Sequence, residues 1–216
     1  MVRRQYVIAC VVIALAAGFA LPAAAQLAAR PAEEWIKTLE SPTRVAGLKI
    51  PETIAALKIK PGQIVADIGA GTGIFSFAFV SSVRPNGKVY AVDIEQGLID
   101  HITEKATEQG MSNFVNGVLG EFTDPNLPEN IDLAFINDVL HHIEDRAGYL
   151  KNLAAYLKPG GRIAVIDFRP NMGGHRNQPE LQTPQEQATK WMAAVGLKPL
   201  EEINLFEDKW FVIYGK

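Results

Sequence analysis

Val65-Ala66-Asp67-Ile68-Gly69-Ala70-Gly71-Thr72-Gly73, running on into Ile74-Phe75-Ser76-Phe77-Ala78-Phe79-Val80, decides the fold of this 216-residue chain. An apolar run ends in an acid, three glycines follow at alternate positions, and a second apolar run begins. The pattern predicts a buried strand, a tight turn and the first turns of a helix. Glycines in such a turn permit positive φ and let a ligand lie against bare backbone. Their spacing is diagnostic. A dinucleotide fingerprint, G-x-G-x-x-G, sets pyrophosphate on the helix N-terminus and needs its third glycine where this chain has Ile74. Here the third glycine is Gly73, and an acid, Asp67, stands directly ahead of the loop. That arrangement suits a ligand without phosphate but with a cation to place.

A second acid lies at the distance expected for a nucleoside. Gly87-Lys88-Val89-Tyr90-Ala91-Val92-Asp93-Ile94 reads as a turn and a strand ending in a carboxylate, with Ile94 beside it. Asp93 follows the glycine loop by about twenty residues, where a strand-tip acid binds both ribose hydroxyls. An acid there serves NAD proteins equally, so it indicates adenosine and leaves the choice of ligand to the glycine spacing. Alone, Asp93 could be a turn former and Asp67 a loop brace; in this order and spacing they read as a site.

Beyond the loop the pattern alternates: strand 88–93, helix 96–109, strands 113–119 and 131–136, helix 146–157, strand 161–167, helix 184–195. Mostly apolar strands between helices predict a parallel sheet covered on both faces. Segments 199–205 and Lys209–Tyr214 are too closely spaced for a crossover and should pair antiparallel. The strand Ile131–Ile136 delivers Asn137 and Asp138 to the crevice at the carboxyl ends of the sheet, where ligands bind in open α/β folds.

The turn Asp67–Gly73 resembles motif I of the class I S-adenosylmethionine-dependent methyltransferases. Asp138-Val139-Leu140-His141-His142 resembles the D-V-L-H-H segment of the small-molecule members related to ubiquinone and menaquinone biosynthesis, and Leu157-Lys158-Pro159-Gly160-Gly161 their L-K-P-G-G turn. The likeness covers residues 45–216, with the motifs in order. It implies a doubly wound, Rossmann-like α/β fold whose seven-stranded, mostly parallel sheet ends in an antiparallel strand. It also implies S-adenosyl-L-methionine as cofactor, with Asp67, Gly69, Gly71 and Gly73 around its methionine part and Asp93 and Ile94 at the ribose. Glu121 then falls near the adenine amino group, Phe122 against the ring, and Asn137 at the crevice. The acceptor that the resemblance implies is a small or lipid-like molecule. For a phenol, enol or amine acceptor, Asp138 and His141 are the candidates for proton removal; a structural role for both histidines stays open. Adjacent histidines point in different directions, so a shared metal is not expected. A nucleoside-binding module without catalysis and an NAD-dependent oxidoreductase are the competing readings, the latter opposed by Ile74.

The remaining segments bound the biology. Arg3-Arg4, the apolar stretch Val7–Leu21 and Pro22-Ala23-Ala24-Ala25-Gln26 read as a signal peptide, 1–25, cleaved after Ala25. A periplasmic or secreted location follows; an uncleaved leader would instead associate the protein with the membrane. Export separates an enzyme from cytoplasmic cofactor, and Arg3-Arg4-Gln5-Tyr6-Val7 partly resembles a twin-arginine signal, a route for folded proteins. Residues 26–60 form an N-terminal arm and capping helix that packs over the cofactor pocket, and 61–216 the methyltransferase domain. Cys10 is the sole cysteine and belongs to the leader, which excludes disulfide, thiolate-metal and cysteine-nucleophile chemistry from the rest. With 21 basic against 24 acidic side chains and no basic cluster, nucleic acid is not an expected partner. The polar stretch Arg169–Thr183 should overhang the acceptor side as a specificity loop.

Overall fold

The computed structural model describes residues 31–173 and 176–216. The leader expected at 1–25, with Arg3, Arg4 and Cys10, lies outside the described residues, as does His175. Three short helices open the described chain: α1 (Ala32–Leu39), α2 (Pro42–Gly47) and α3 (Ile50–Leu57). Then follow β1 (Ile64–Ile68), α4 (Ile74–Val83), β2 (Lys88–Asp93), α5 (Gln96–Glu108), β3 (Val115–Leu119) and β4 (Ile131–Asn137). A 3₁₀ turn at Leu140–His142 leads to α6 (Arg146–Ala155), β5 (Leu157–Phe168), α7 (Gln185–Ala194), β6 (Lys198–Glu202) and β7 (Lys209–Gly215).

The strands form one sheet in the order β3-β2-β1-β4-β5-β7-β6. β1 is parallel to β2 and β4, β2 to β3, and β4 to β5, whereas β7 runs antiparallel to both β5 and β6. The expected architecture is therefore present. The order reverses between β1 and its neighbours β2 and β4, so the crevice at their carboxyl ends is the topological switch point.

Alternation along each strand divides the core in two. Ala66 and Ile68 of β1 and Ala134 and Ile136 of β4 face Leu150 and Leu153 of α6 and Met192 of α7. Val65, Leu133 and Phe135 face the other way, onto Leu57 of α3 and Phe75 and Phe79 of α4. Phe75, Phe79 and Phe135 form an aromatic cluster with centroids 4.8–5.8 Å apart. At the outer edge beyond β7, β6 reads Lys-Pro-Leu-Glu-Glu, and its Pro199 and charges discourage further strand addition.

Boundaries differ from expectation in one informative place. The helix expected to reach 157 stops at Ala155, and β5 begins at Leu157 rather than 161. Leu157 pairs with Ile131, and the register then slips before Arg162 pairs with Leu133. The Lys158–Gly161 turn is thus a bulge within a strand, with Gly160 at φ 78°.

Candidate functional site

A cavity of about 600 Å³ opens at the switch point. The first strand supplies its floor. β1 ends at Asp67 and Ile68, and Gly69, Gly71 and Gly73 all take left-handed φ (68°, 58° and 76°). Close approach explains the first two as much as φ does. A Cβ on Gly69 would lie 2.3 Å from Val139 Cγ2, and one on Gly71 2.8 Å from Leu39 Cδ1.

Asp67 is 3% exposed, lines the cavity and accepts a hydrogen bond from Ser76 Oγ at 2.6 Å. Burial pushes its carboxyl up to about 7, and the charge of Asp93 adds to the shift. Asp93 sits at the tip of β2, where its Oδ2 accepts from the Gly71 N–H (2.8 Å) and its Oδ1 from the Glu95 N–H (3.2 Å). Burial raises its pKa too, opposed by those backbone donors. The two acids thus occupy neighbouring strand tips joined through the glycine loop.

The far wall has an apolar rim. Ile94 (37% exposed) and Phe122 (52%) both line the mouth, and Glu121 stands beside Phe122. Two exposed apolar side chains flanking a slot suit a planar heterocycle. Asn137 and Asp138 line the opposite side. Asp138 is a non-glycine residue at φ 58°, a conformation that persists only where its surroundings enforce it. Its Oδ2 accepts from Lys209 Nζ at 2.7 Å, while its buried Oδ1 has no hydrogen-bond partner among the described residues. Burial raises the Asp138 pKa, and Lys209 acts against that.

Nine of the eleven residues expected in the site therefore line one cavity, and two do not. Gly73 is set back: a Cβ there would press on Phe77 and Ile102, so its left-handed φ serves the turn into α4. His141 is the second correction. It is 3% exposed, and its Nδ1 lies 2.6 Å from Asp167 Oδ1. Its backbone N–H donates to Asp167 Oδ2 at 3.0 Å. The 3₁₀ turn points His141 into the protein and puts His142 on the cavity wall, the two rings 4.1 Å apart.

The polar stretch after β5 also departs from expectation. None of its described residues lines the cavity. Arg146 instead ties Glu180 to the 3₁₀ turn, donating to the carbonyls of Leu140, His141 and Glu180. Trp210 Nε1 donates to the Thr183 carbonyl at its far end.

The arm expected over the pocket lines the cavity with Trp35, Leu39 and Arg44 of α1 and α2, side chains that sequence reasoning did not single out, and it did not foresee Lys209 behind Asp138. The arm is held by Glu40, which pairs with Lys105 Nζ at 3.0 Å and His101 Nε2 at 3.8 Å on α5. No motif marks these positions. The amphipathic character of α1 was the available signal, and it marks a packing face without saying which side chains enter the cavity.

Comparison with known proteins agrees with this geometry. The family described as Methyltransferase domain matches residues 59–208. The ubiquinone/menaquinone biosynthesis C-methyltransferase of Francisella philomiragia subsp. philomiragia is 31% identical over 118 residues, 54% of this chain and 47% of its own length. The chain thus spans about half the length of the curated relatives it matches. A SAM-dependent methyltransferase from Aquifex aeolicus superposes with a TM-score of 0.75 at 22% identity, covering 86% of this chain and 98% of that one. The magnesium protoporphyrin IX methyltransferase of Synechocystis, solved with bound SAM, gives 0.71 at 17% identity, covering 92% and 99%. At these identities the two structures speak for the fold.

Proposed function

This chain belongs to the methyltransferase domain family, and from that premise we propose that it transfers a methyl group from S-adenosyl-L-methionine to a small or lipid-like acceptor. One observation carries the reading. Asp93, held by the Gly71 N–H at the tip of the second strand, lines one cavity with a glycine loop whose Gly69 and Gly71 leave no room for side chains. Ile94, Phe122 and Glu121 would hold the adenine, and Gly69, Gly71 and Asn137 the methionine part. The curated relatives are named for ubiquinone/menaquinone biosynthesis, which supports a small ring-bearing acceptor here. Methyl transfer is an in-line displacement at carbon. The cofactor supplies the activated methyl, and the chain's task is alignment and exclusion of water. Calorimetric titration of the full chain with S-adenosylhomocysteine tests the reading: saturable binding supports it, and its absence in folded protein overturns it.

The reading fixes a pH dependence. Bound cofactor brings positive charge to an acid floor, so it favours ionised Asp67. Above about pH 7 Asp67 is already ionised. Below it, binding must remove a proton, and affinity for S-adenosylmethionine should fall by up to about tenfold per pH unit. Asp67→Asn should therefore flatten the profile. A wild-type profile flat from pH 8 to 6 would refute the effect. Folding stability responds with the opposite sign. An acid raised in the folded state binds more protons there than when unfolded, so the unliganded protein loses stability as pH rises from 4 to 7.

His142 takes the place assigned to His141 on the acceptor side, where it removes the acceptor's proton. The two histidines should separate experimentally. His142→Ala lowers single-turnover methyl transfer with S-adenosylhomocysteine affinity retained. His141→Ala leaves Asp167 without its imidazole partner and lowers stability by about 2–3 kcal/mol in urea denaturation. Equal stability losses in both variants would remove the distinction.

Export is part of the same proposal, supported by the leader sequence alone: residues 1–25 direct the chain across the membrane, and a retained leader anchors it there. Cell fractionation with N-terminal sequencing decides it. An intact, cytoplasmic chain would sink the idea.

A further inference from the structure

We propose that Arg44 and Asp138 together hold the amino-acid end of the cofactor, Arg44 taking its α-carboxylate and Asp138 Oδ1 its α-ammonium. The inference rests on the reading that the cavity takes S-adenosylmethionine, and it assigns a part of the site that the motifs leave open.

Charge is distributed unevenly around the cavity. Among the described residues lining it, seven carry carboxylates and one, Arg44, carries a guanidinium; no lysine lines it. The cofactor has a sulfonium, an ammonium and one carboxylate. Its two cations have many partners to choose from, but its carboxylate has one. A buried carboxylate without a cation or donors is costly, so the α-carboxylate belongs at Arg44.

Both partners also have bonding capacity to spare. Arg44 is half-buried, and its one hydrogen bond among the described residues runs from Nη1 to the Leu39 carbonyl at 3.0 Å. A guanidinium has five N–H donors in a planar fork, enough for a carboxylate besides that carbonyl. Asp138 is engaged on one side only. Lys209 holds Oδ2 at 2.7 Å, and the buried Oδ1 has no partner among the described residues. A buried oxygen without a partner on a cavity wall calls for a donor from the ligand. Asp67 is less available, its Oδ2 engaged by Ser76 Oγ, and Asp93 is committed to the ribose in the proposed pose.

The spacing of the two residues points the same way. Arg44 and Asp138 each feel the other's charge, yet no ion pair within 4 Å joins them. A gap remains between a cation and an anion, which is the complement of a zwitterion. The charged groups acting on Asp138 are Lys209, Arg44 and Asp167, the last from beneath the 3₁₀ turn. Burial raises its pKa, the two cations and the one further anion acting around that, and a bound ammonium would be a third cation favouring the carboxylate. This gives Asp138 a binding task in place of the proton removal expected from sequence. It also makes the N-terminal arm a structural part of the cofactor site, since α2 carries Arg44 and α1 lays Leu39 over Gly71.

Four ligands on the full chain test it by calorimetry: S-adenosylhomocysteine, its decarboxylated analogue 5′-(3-aminopropylthio)-5′-deoxyadenosine, its deaminated analogue 5′-(3-carboxypropylthio)-5′-deoxyadenosine, and 5′-methylthioadenosine. Arg44→Gln should weaken the two carboxylate-bearing ligands by about 10- to 100-fold, the range of one charge-assisted bidentate contact. It should leave the other two within about twofold. Asp138→Asn should give the mirror result, weakening the two ammonium-bearing ligands and sparing the others. Equal weakening of all four by Arg44→Gln, or no weakening, overturns the assignment while wild-type binding of S-adenosylhomocysteine leaves the methyltransferase reading standing. Failure of the wild type to bind any of the four overturns both.

Discussion

Asp93→Ala should weaken S-adenosylhomocysteine binding at least about 100-fold, beyond easy detection by calorimetry, while the protein remains folded. A carboxylate accepting from both ribose hydroxyls makes two charge-assisted hydrogen bonds worth about 1.5–3 kcal/mol each. Their joint loss corresponds to about 10²- to 10⁴-fold in affinity. A second contribution comes from the unliganded protein. Asp93 Oδ2 accepts from the Gly71 N–H at 2.8 Å and Oδ1 from the Glu95 N–H, so its removal loosens the glycine loop as well. The fold tolerates the change because burial already disfavours the ionised form of Asp93, and the strand beneath it is held by β1 and β3 on either side. Far-ultraviolet circular dichroism and the melting temperature report the fold. Affinity within threefold of wild type in a folded variant would remove Asp93 from the site.

Gly71→Val should abolish binding by a different route. Gly71 has φ 58°, where a β-branched residue is strained by about 1–2 kcal/mol. Its Cβ would stand 2.8 Å from Leu39 Cδ1, so the arm must lift before the side chain fits. In the proposed pose the valine methyls also crowd the part of the cavity wall that Gly71 forms for the methionine part. Three losses combine: strain, arm displacement and steric exclusion of the methionine part. Gly110→Ala is the control. Gly110 has φ 64°, and a Cβ added there would meet nothing within 4 Å; it therefore takes the backbone penalty alone and should leave affinity unchanged. Gly71→Val binding S-adenosylhomocysteine like wild type would show that the loop does not touch the cofactor. A parallel loss in Gly110→Ala would show that backbone strain alone explains the effect.

The two variants probe the part of the site that sequence made legible. Strand, loop and helix from Ile64 to Val83 follow from local rules: an apolar run, glycines where φ must be positive, and an apolar run again. The antiparallel close of the sheet follows from the short spacing of its last segments, since a parallel crossover needs a dozen residues or more. Position relative to a strand end is likewise a local property, and so the sequence alone puts Asp67, Asp93, Asn137 and Asp138 at the crevice.

Orientation within irregular segments could not be read in the same way. Which of two adjacent histidines faces the cavity depends on the phase of a single 3₁₀ turn. That phase is set by Asp167, which takes both the backbone N–H and the ring of His141 across 26 residues. Arg169–Thr183 has the composition of an overhanging loop, but Arg146 and Trp210 draw it elsewhere. Lys209 reaches Asp138 across 71 residues, and Arg44 enters the cavity because Leu39 and Glu40 seat the arm on Gly71 and on α5. Sequence by itself determined the succession of strands and helices along the chain and the acids at the strand ends, because dihedral preference and burial period act over a few residues. Tertiary structure alone decided which charges complete the cavity, because a charge finds its partner by burial in three dimensions, whatever the distance along the chain.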